Sequence, residues 1–255
     1  MFKVATWNVN SVRMRLPHIL RWLKTHRPNI LAIQETKVPD DKFPKDEIEA
    51  AGYHVIYSVQ KSYNGVATIS LKEATDVVYD LPGLKDPQRR VLGATIDGYR
   101  FLNLYVPNGT SIDSDKYQYK LEWLKKLCAH AKLQLQRFSK FVIVGDFNIA
   151  PADLDVYNPK AWEGQVLVSE PERAALQKIL AVGLHDAYRL LDQTSGGYSW
   201  WDYRHAAFMR DMGLRLDLIL LSDELSKHCK GCFVDKTPRG WDSPSDHAPV
   251  IAEFD

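Results

Sequence analysis

The chain has 255 residues, 45% hydrophobic and 25% charged, proportions that exclude a disordered chain or a fibre. Its 33 basic and 32 acidic residues leave a net charge of +1, so any affinity for phosphates has to come from local clusters of Lys and Arg. No apolar run is long enough to cross a bilayer, and MFKVATWNVN lacks a secretory pattern. A soluble, cytoplasmic, single-domain protein over residues 1–255 is expected, monomeric and without a membrane partner. Cys128, Cys229 and Cys232 have no framework spacing, which fits a reducing compartment. Cys229 and Cys232 have the spacing of half a zinc site, but no second Cys or His pair accompanies them, so they read as ordinary thiols.

In chain order, strands are expected at Phe2 to Trp7, Ile30 to Gln34, His54 to Ser58, Gly65 to Ser70, Val91 to Ile96, Phe101 to Val106, Phe141 to Val144, Leu216 to Leu221 and Val250 to Phe254. Several are rich in the β-branched and aromatic residues that suit a pleated surface. Phe141-Val-Ile-Val144 is apolar throughout, as in a strand covered on both faces. Helical periodicity runs over Pro17 to His26, Lys116 to Phe138 and Glu170 to Ala181. Ser169 and Glu172 form a capping-box pattern before the third. Strands mixed with helices, some strands buried on both sides, predict a layered α/β protein. Two stacked sheets with helices outside would satisfy both observations.

Polar residues collect at the strand ends. Asn8 and Asn10 follow the first strand, Glu35 the second, Tyr105 and Asn108 the Phe101 strand, and Asp146 and Asn148 the Phe141 strand. Asp217 opens its own apolar run, and Asp246-His247 leads into the last strand. Strand ends can present such residues to one cleft. Carboxylate and amide oxygens are hard ligands suited to Mg²⁺, with Mn²⁺ as a substitute. A His beside a carboxylate is oriented by it. An Asp next to an Asn can activate water while the amide steadies developing charge. Each motif alone has a plain structural explanation, since Asn ends strands and GDFN suits an Asx turn. Their co-occurrence reads as metal-assisted hydrolysis of a phosphate ester.

WNVNS at 7–11, LAIQETK at 31–37, NLYVPNG at 103–109, VGDFNIAP at 144–151, LRLDLIL at 214–220 and SDHAPV at 245–250 together resemble the exonuclease III family of the DNase I-like endonuclease/exonuclease/phosphatase superfamily. The resemblance implies a four-layered α/β sandwich, with two face-to-face mixed sheets flanked by helices. It implies a Mg²⁺-dependent DNA repair nuclease acting on abasic (AP) sites and 3′ ends of double-stranded DNA. Glu35 would be the principal metal ligand, with Asn8, Asn10 and Asp246 around it and Asp146, Asn148 and His247 adjoining. Asp146 would activate water, Asn148 and Tyr105 would stabilise phosphoryl charge, and His247, paired with Asp217, would contact the phosphate. Asn10 stands where some relatives carry Asp, which bears on how many ions bind. SWWDYR at 199–204 looks bacterial, and Trp200, Leu214 and Leu216, with Asn108, would border a pocket for a base-free sugar. Leu216 also suits an ordinary core position.

Arg13, Arg15, Lys37, Arg89, Arg90, Lys116 and Lys120 are candidates for DNA backbone contact. Leu167 lies where a bulky side chain would narrow the sugar pocket. Two other readings use the same fold: a phosphoesterase acting on lipids or inositol phosphates, and a nucleic-acid-binding regulator without catalysis. The SWWDYR and GLRLD segments argue against the first. The complete set Glu35, Asp146, Asn148, Asp217, Asp246 and His247 argues against the second.

Overall fold

A computed structural model describes every residue except Lys85. Its strands are β1 (Phe2–Asn8), β2 (Ile30–Gln34), β3 (His54–Ser58), β4 (Val66–Ser70), β5 (Ala74–Val78), β6 (Val91–Ile96), β7 (Tyr99–Tyr105), β8 (Phe141–Asp146), β9 (Leu184–Asp186), β10 (Asp217–Ser222), β11 (Cys229–Val234) and β12 (Val250–Phe254). The helices are α1 (Val12–His26), α2 (Lys45–Ala50), α3 (Asp115–Arg137), α4 (Pro159–Trp162), α5 (Glu170–Leu180), α6 (Ala187–Leu191) and α7 (Asp223–Ser226).

The strands form two six-stranded sheets, ordered β11-β12-β1-β2-β4-β3 and β5-β6-β7-β8-β10-β9. Each is mixed, antiparallel except for one parallel pair, β1/β2 in the first and β7/β8 in the second. Strand alternation sorts the side chains into layers. Val4, Ile30, Ala32, Val142, Val144, Ile219 and Ala252 fill the space between the sheets. From the same strands Ala5, Trp7, Leu31 and Ile33 turn outward onto Ile19, Trp22 and Leu23 of α1. On the other side Leu102, Leu104, Ile143, Leu218 and Leu220 pack on Trp123, Leu124 and Leu127 of α3 and Leu176 and Ile179 of α5. Helix, sheet, sheet and helix are therefore the four expected layers.

Three strands escape the periodicity argument: β5, β9 and β11. All lie at sheet edges, where a strand has one neighbour and its outer positions stay polar. β11 also carries an irregularity between Cys229 and Gly231. The first helix begins at Val12, five residues before Pro17, which lies inside it. The expected start at Pro17 is therefore five residues late: a proline at that point removes one backbone hydrogen bond, and the helix runs through it. Cys229 and Cys232 are free thiols on β11. Among the described residues the one group of three ligand-type side chains is elsewhere, at Asp146, Asp217 and His247.

Candidate active site

The strand ends converge by register. Tyr105 of β7 lies opposite Asp146 of β8, and Asp146 lies opposite Asp217 of β10. The three form one row on the face that meets the other sheet. From that other sheet Asn8 of β1, which follows Val4 and Thr6 on the same face, donates through Nδ2 to Asp146 Oδ2 at 2.9 Å. Its Nδ2 also donates to Glu35 Oε1 at 2.8 Å. Beneath this junction Gln34 bridges the sheets, donating to Thr6 at 2.9 Å and to Asn103 at 2.8 Å.

His247 arrives on the segment before β12. Its Nδ1 lies 2.7 Å from Asp217 Oδ2, and its Nε2 lies 3.7 Å from Asp146 Oδ2. Burial alone would lower the imidazole, but the carboxylates of Asp217 and Asp146 dominate and raise it to about 10. His247 is thus an imidazolium at neutral pH, a donor toward the cleft. Burial pushes Asp146 up to about 7, against the opposing charge of His247. Burial, then the carboxylates of Glu35 and Asp146, push the Tyr105 hydroxyl well above its ordinary value, so it remains a neutral O–H donor.

Asn148 N–H donates to Asp146 Oδ1 at 2.9 Å, and Asn108 donates through Nδ2 to Asn148 Oδ1 at 3.2 Å. Asn10, Glu35, Lys37 and Asn148 all have positive φ, between 45° and 53°, a concentration of backbone strain at one cleft. Gly145, at φ 146°, has no alternative: an added Cβ would sit 1.9 Å from the Leu104 carbonyl oxygen.

Two donor sets could hold a divalent cation. Asp146, Asp217 and His247 place one ligand atom each within 4.8 Å of one another, although His247 would first have to give up its proton. The second set carries its own stand-in cation. Lys37 Nζ lies 2.5 Å from Glu35 Oε2 and 2.6 Å from Asn10 Oδ1, so these oxygens already converge on one positive centre. Asn10 Nδ2 continues to Asp246 Oδ1 at 2.9 Å. Burial would raise Asp246, but the charge of His247 and the hydrogen bonds from Trp200 and Asn10 hold it below the usual carboxylate range. An all-oxygen set of this kind fits a hard divalent cation.

The protein matches the family model described as "Endonuclease/Exonuclease/phosphatase family" over residues 5–247. It is 32% identical to exodeoxyribonuclease III of Haemophilus influenzae, over 99% of both chains. The chain belongs to the exonuclease III/AP endonuclease family. Among solved structures of that family it superposes with TM-score 0.99, at 44% identity over 100% of both chains, on a 3′ phosphatase, NExo, from Neisseria bound to a product DNA hairpin. An AP endonuclease from Archaeoglobus fulgidus gives TM-score 0.94, at 41% identity over 100% of both chains.

The other expected residues of the exonuclease III-type site are placed unequally. Trp200 is half-buried and donates to Asp246 Oδ2 at 3.0 Å. Leu214 and Leu216 are fully packed with Val156, Leu167 and Ala150, so of the three only Trp200 presents surface. Arg90, Lys116 and Asn108 line one depression of about 400 Å³ beside the cleft, with Tyr63 and Gln60. Arg89 lies 3.9 Å from Asp80, Arg13 is exposed, and Arg15 is spent on the carbonyls of Asn10 and Pro244. Lys120 is a correction. Its side chain is fully buried against Glu172 and cannot reach DNA. Ser199 was missed. Its hydroxyl donates to Asp217 Oδ2 at 2.7 Å and accepts from the amides of Leu216 and Asp217, each at 3.0 Å. The signal for it was its place at the head of SWWDYR.

Proposed function

We propose that this protein is a Mg²⁺-dependent DNA repair nuclease that hydrolyses phosphodiester bonds of duplex DNA at abasic sites and 3′ ends. The observation that carries the reading is the row Tyr105–Asp146–Asp217, its two carboxyl groups buried, facing Asn8 and His247, which puts a proton acceptor among fixed donors. Asp146 holds a water and takes its proton as the oxygen attacks phosphorus, a role suited to a carboxyl poised near neutrality. His247, Asn148 and Tyr105 donate to the phosphoryl oxygens as charge grows on them. Asp217, fixed by Ser199, holds the imidazolium in place. Mg²⁺, or Mn²⁺ in its stead, would be held by Glu35 with Asn8, Asn10 and Asp246, and when bound offsets charge on the departing 3′ oxygen.

Arg13, Lys37, Arg89, Arg90 and Lys116 supply backbone contacts, and Asn108 and Trp200 border the sugar. Leu167 has φ 80° and packs in the same cluster as Leu214 and Leu216, with Trp200 against it. It sets the depth available beside Trp200.

The test uses two labelled duplexes, one with an internal abasic analogue and one with a recessed 3′ end, each with Mg²⁺ and with chelator. Mg²⁺-dependent incision at the abasic site is the expected result, and cutting of neither duplex overturns the assignment. Leu167→Gly is expected to shift the ratio of incision to end-trimming toward incision. An unchanged ratio removes Leu167 from the pocket.

A further inference from the structure

Lys120 is the most deeply buried cation in contact with the active-site loops, and its placement is expensive. Its side chain is 0% exposed, as is that of Glu172, its partner. Taking an ammonium out of water costs several kcal/mol unless every donor is matched. All three donors of Nζ are matched. One goes to the Glu172 carboxylate, one to the Asn148 carbonyl at 2.7 Å and one to the Asn108 carbonyl at 3.1 Å. Glu172 Oε1 accepts in turn from Ser169 N at 2.9 Å and Ser169 Oγ at 2.7 Å. The Ser169 hydroxyl meets Tyr117 Oη of α3 at 2.5 Å.

A joint between α3 and α5 does not need this chemistry. Buried ion pairs are often replaceable by apolar side chains with little loss of stability. Two of the three hydrogen bonds instead go to the main chain of Asn148 and Asn108, the residues assigned above to the phosphoryl oxygens and to the sugar. Asn148 has φ 49°, a conformation that needs outside support. That support comes at both ends, from Asp146 on its N–H and from Lys120 on its carbonyl.

We infer that Lys120 is a positioning residue: its buried ammonium, balanced by Glu172, clamps the Asn148 and Asn108 loops into the geometry the transition state requires. The inference rests on the roles given above to Asn148 and Asn108. Lys120 touches no substrate, so removing it lowers the rate of the chemical step and leaves DNA affinity nearly alone.

The test is a double-mutant cycle on single-turnover incision with Mg²⁺, in which Lys120→Met and Glu172→Met are introduced together so that no charge is stranded. The pair is expected to slow incision about thirtyfold in the otherwise native enzyme and about fivefold or less in an Asn148→Ala background, with DNA affinity within about threefold throughout. A role in stability alone lowers the amplitude through lost folded enzyme and leaves the rate constant unchanged, or changes it by the same factor in both backgrounds. Equal losses, or a loss under about threefold in the native background, overturn the inference while leaving the function intact. Asn148→Ala with no effect of its own overturns the assigned role of Asn148 and the inference with it. Should the methionine pair not fold, Glu172→Gln, which keeps the side-chain volume, is read through the same cycle with the same criteria.

Discussion

Asp217 is wholly buried, its Oδ2 shared between His247 and Ser199 and its Oδ1 without a partner among the described residues. A carboxylate so placed acts mainly through its charge on the imidazole, and the sign of its removal follows. Burial lowers His247 and Asp217 is the largest influence raising it, so Asp217→Asn lowers the midpoint. In metal-free protein, ¹⁵N NMR of His247 is expected to show the imidazolium persisting to about pH 10 in the native chain and deprotonating at lower pH in the variant. An unchanged midpoint would assign the stabilisation to Asp146 instead. At Asp146 the expectation is kinetic. Asp146→Asn keeps the volume and one of the two acceptor oxygens used by Asn8 and the Asn148 N–H but removes the proton acceptor, so single-turnover incision falls by about a thousandfold or more while DNA affinity stays within about threefold. Loss of binding in proportion to rate would show that the residue holds substrate. These residues were legible in the sequence because polar groups ending apolar strands stand out. Lys120 was not, since a lysine on a helix reads as surface. Its clue was spacing: it shares the buried face of α3 with Tyr117, Leu124 and Leu127.

The elements are joined near the site by a second buried ionic cluster. Arg215, just before β10, reaches Asp155 at 2.7 Å and Asp186 of β9 at 2.7 Å, and Arg189 of α6 reaches Asp155 at 2.5 Å. Burial works against the charge on Arg215, and Asp186 and Asp155 more than offset it. Arg215→Met leaves Asp186 without its ion-pair partner and Asp155 with Arg189 alone, and is expected to cost about 3–5 kcal/mol in urea unfolding. A cost below about 1 kcal/mol would show that Arg189 suffices for Asp155. The central strands reveal themselves through local periodicity. The edge strands β5, β9 and β11 do not, because their outer positions stay polar, and the Arg215 cluster was illegible for another reason, since it joins residues as far apart in the chain as Asp155 and Arg215. Leu214 and Leu216 show the same limit from the other side. Their apolar character was plain, but whether they face a cavity or a core is decided by Val156 and Leu167, which pack on them.

At the scale of the molecule, the oxygens expected to hold Mg²⁺ are not idle without it, since Glu35 and Asn10 accept from Lys37 and Asn8 accepts from the Asn10 N–H at 3.0 Å. Chelation is therefore expected to abolish incision while shifting the unfolding temperature by no more than about 3 °C, as for a loosely held ion. A much larger shift would make the metal part of the fold. The site is also divided between the sheets: Asn8 and Glu35 come with the first, Tyr105, Asp146 and Asp217 with the second, and His247 just ahead of β12, which pairs with β1. Asp146 and Asp217 both precede His247 in the chain, and β12 follows it. The two halves of the site are therefore brought to one place only when β12, the strand that follows His247, closes against β1.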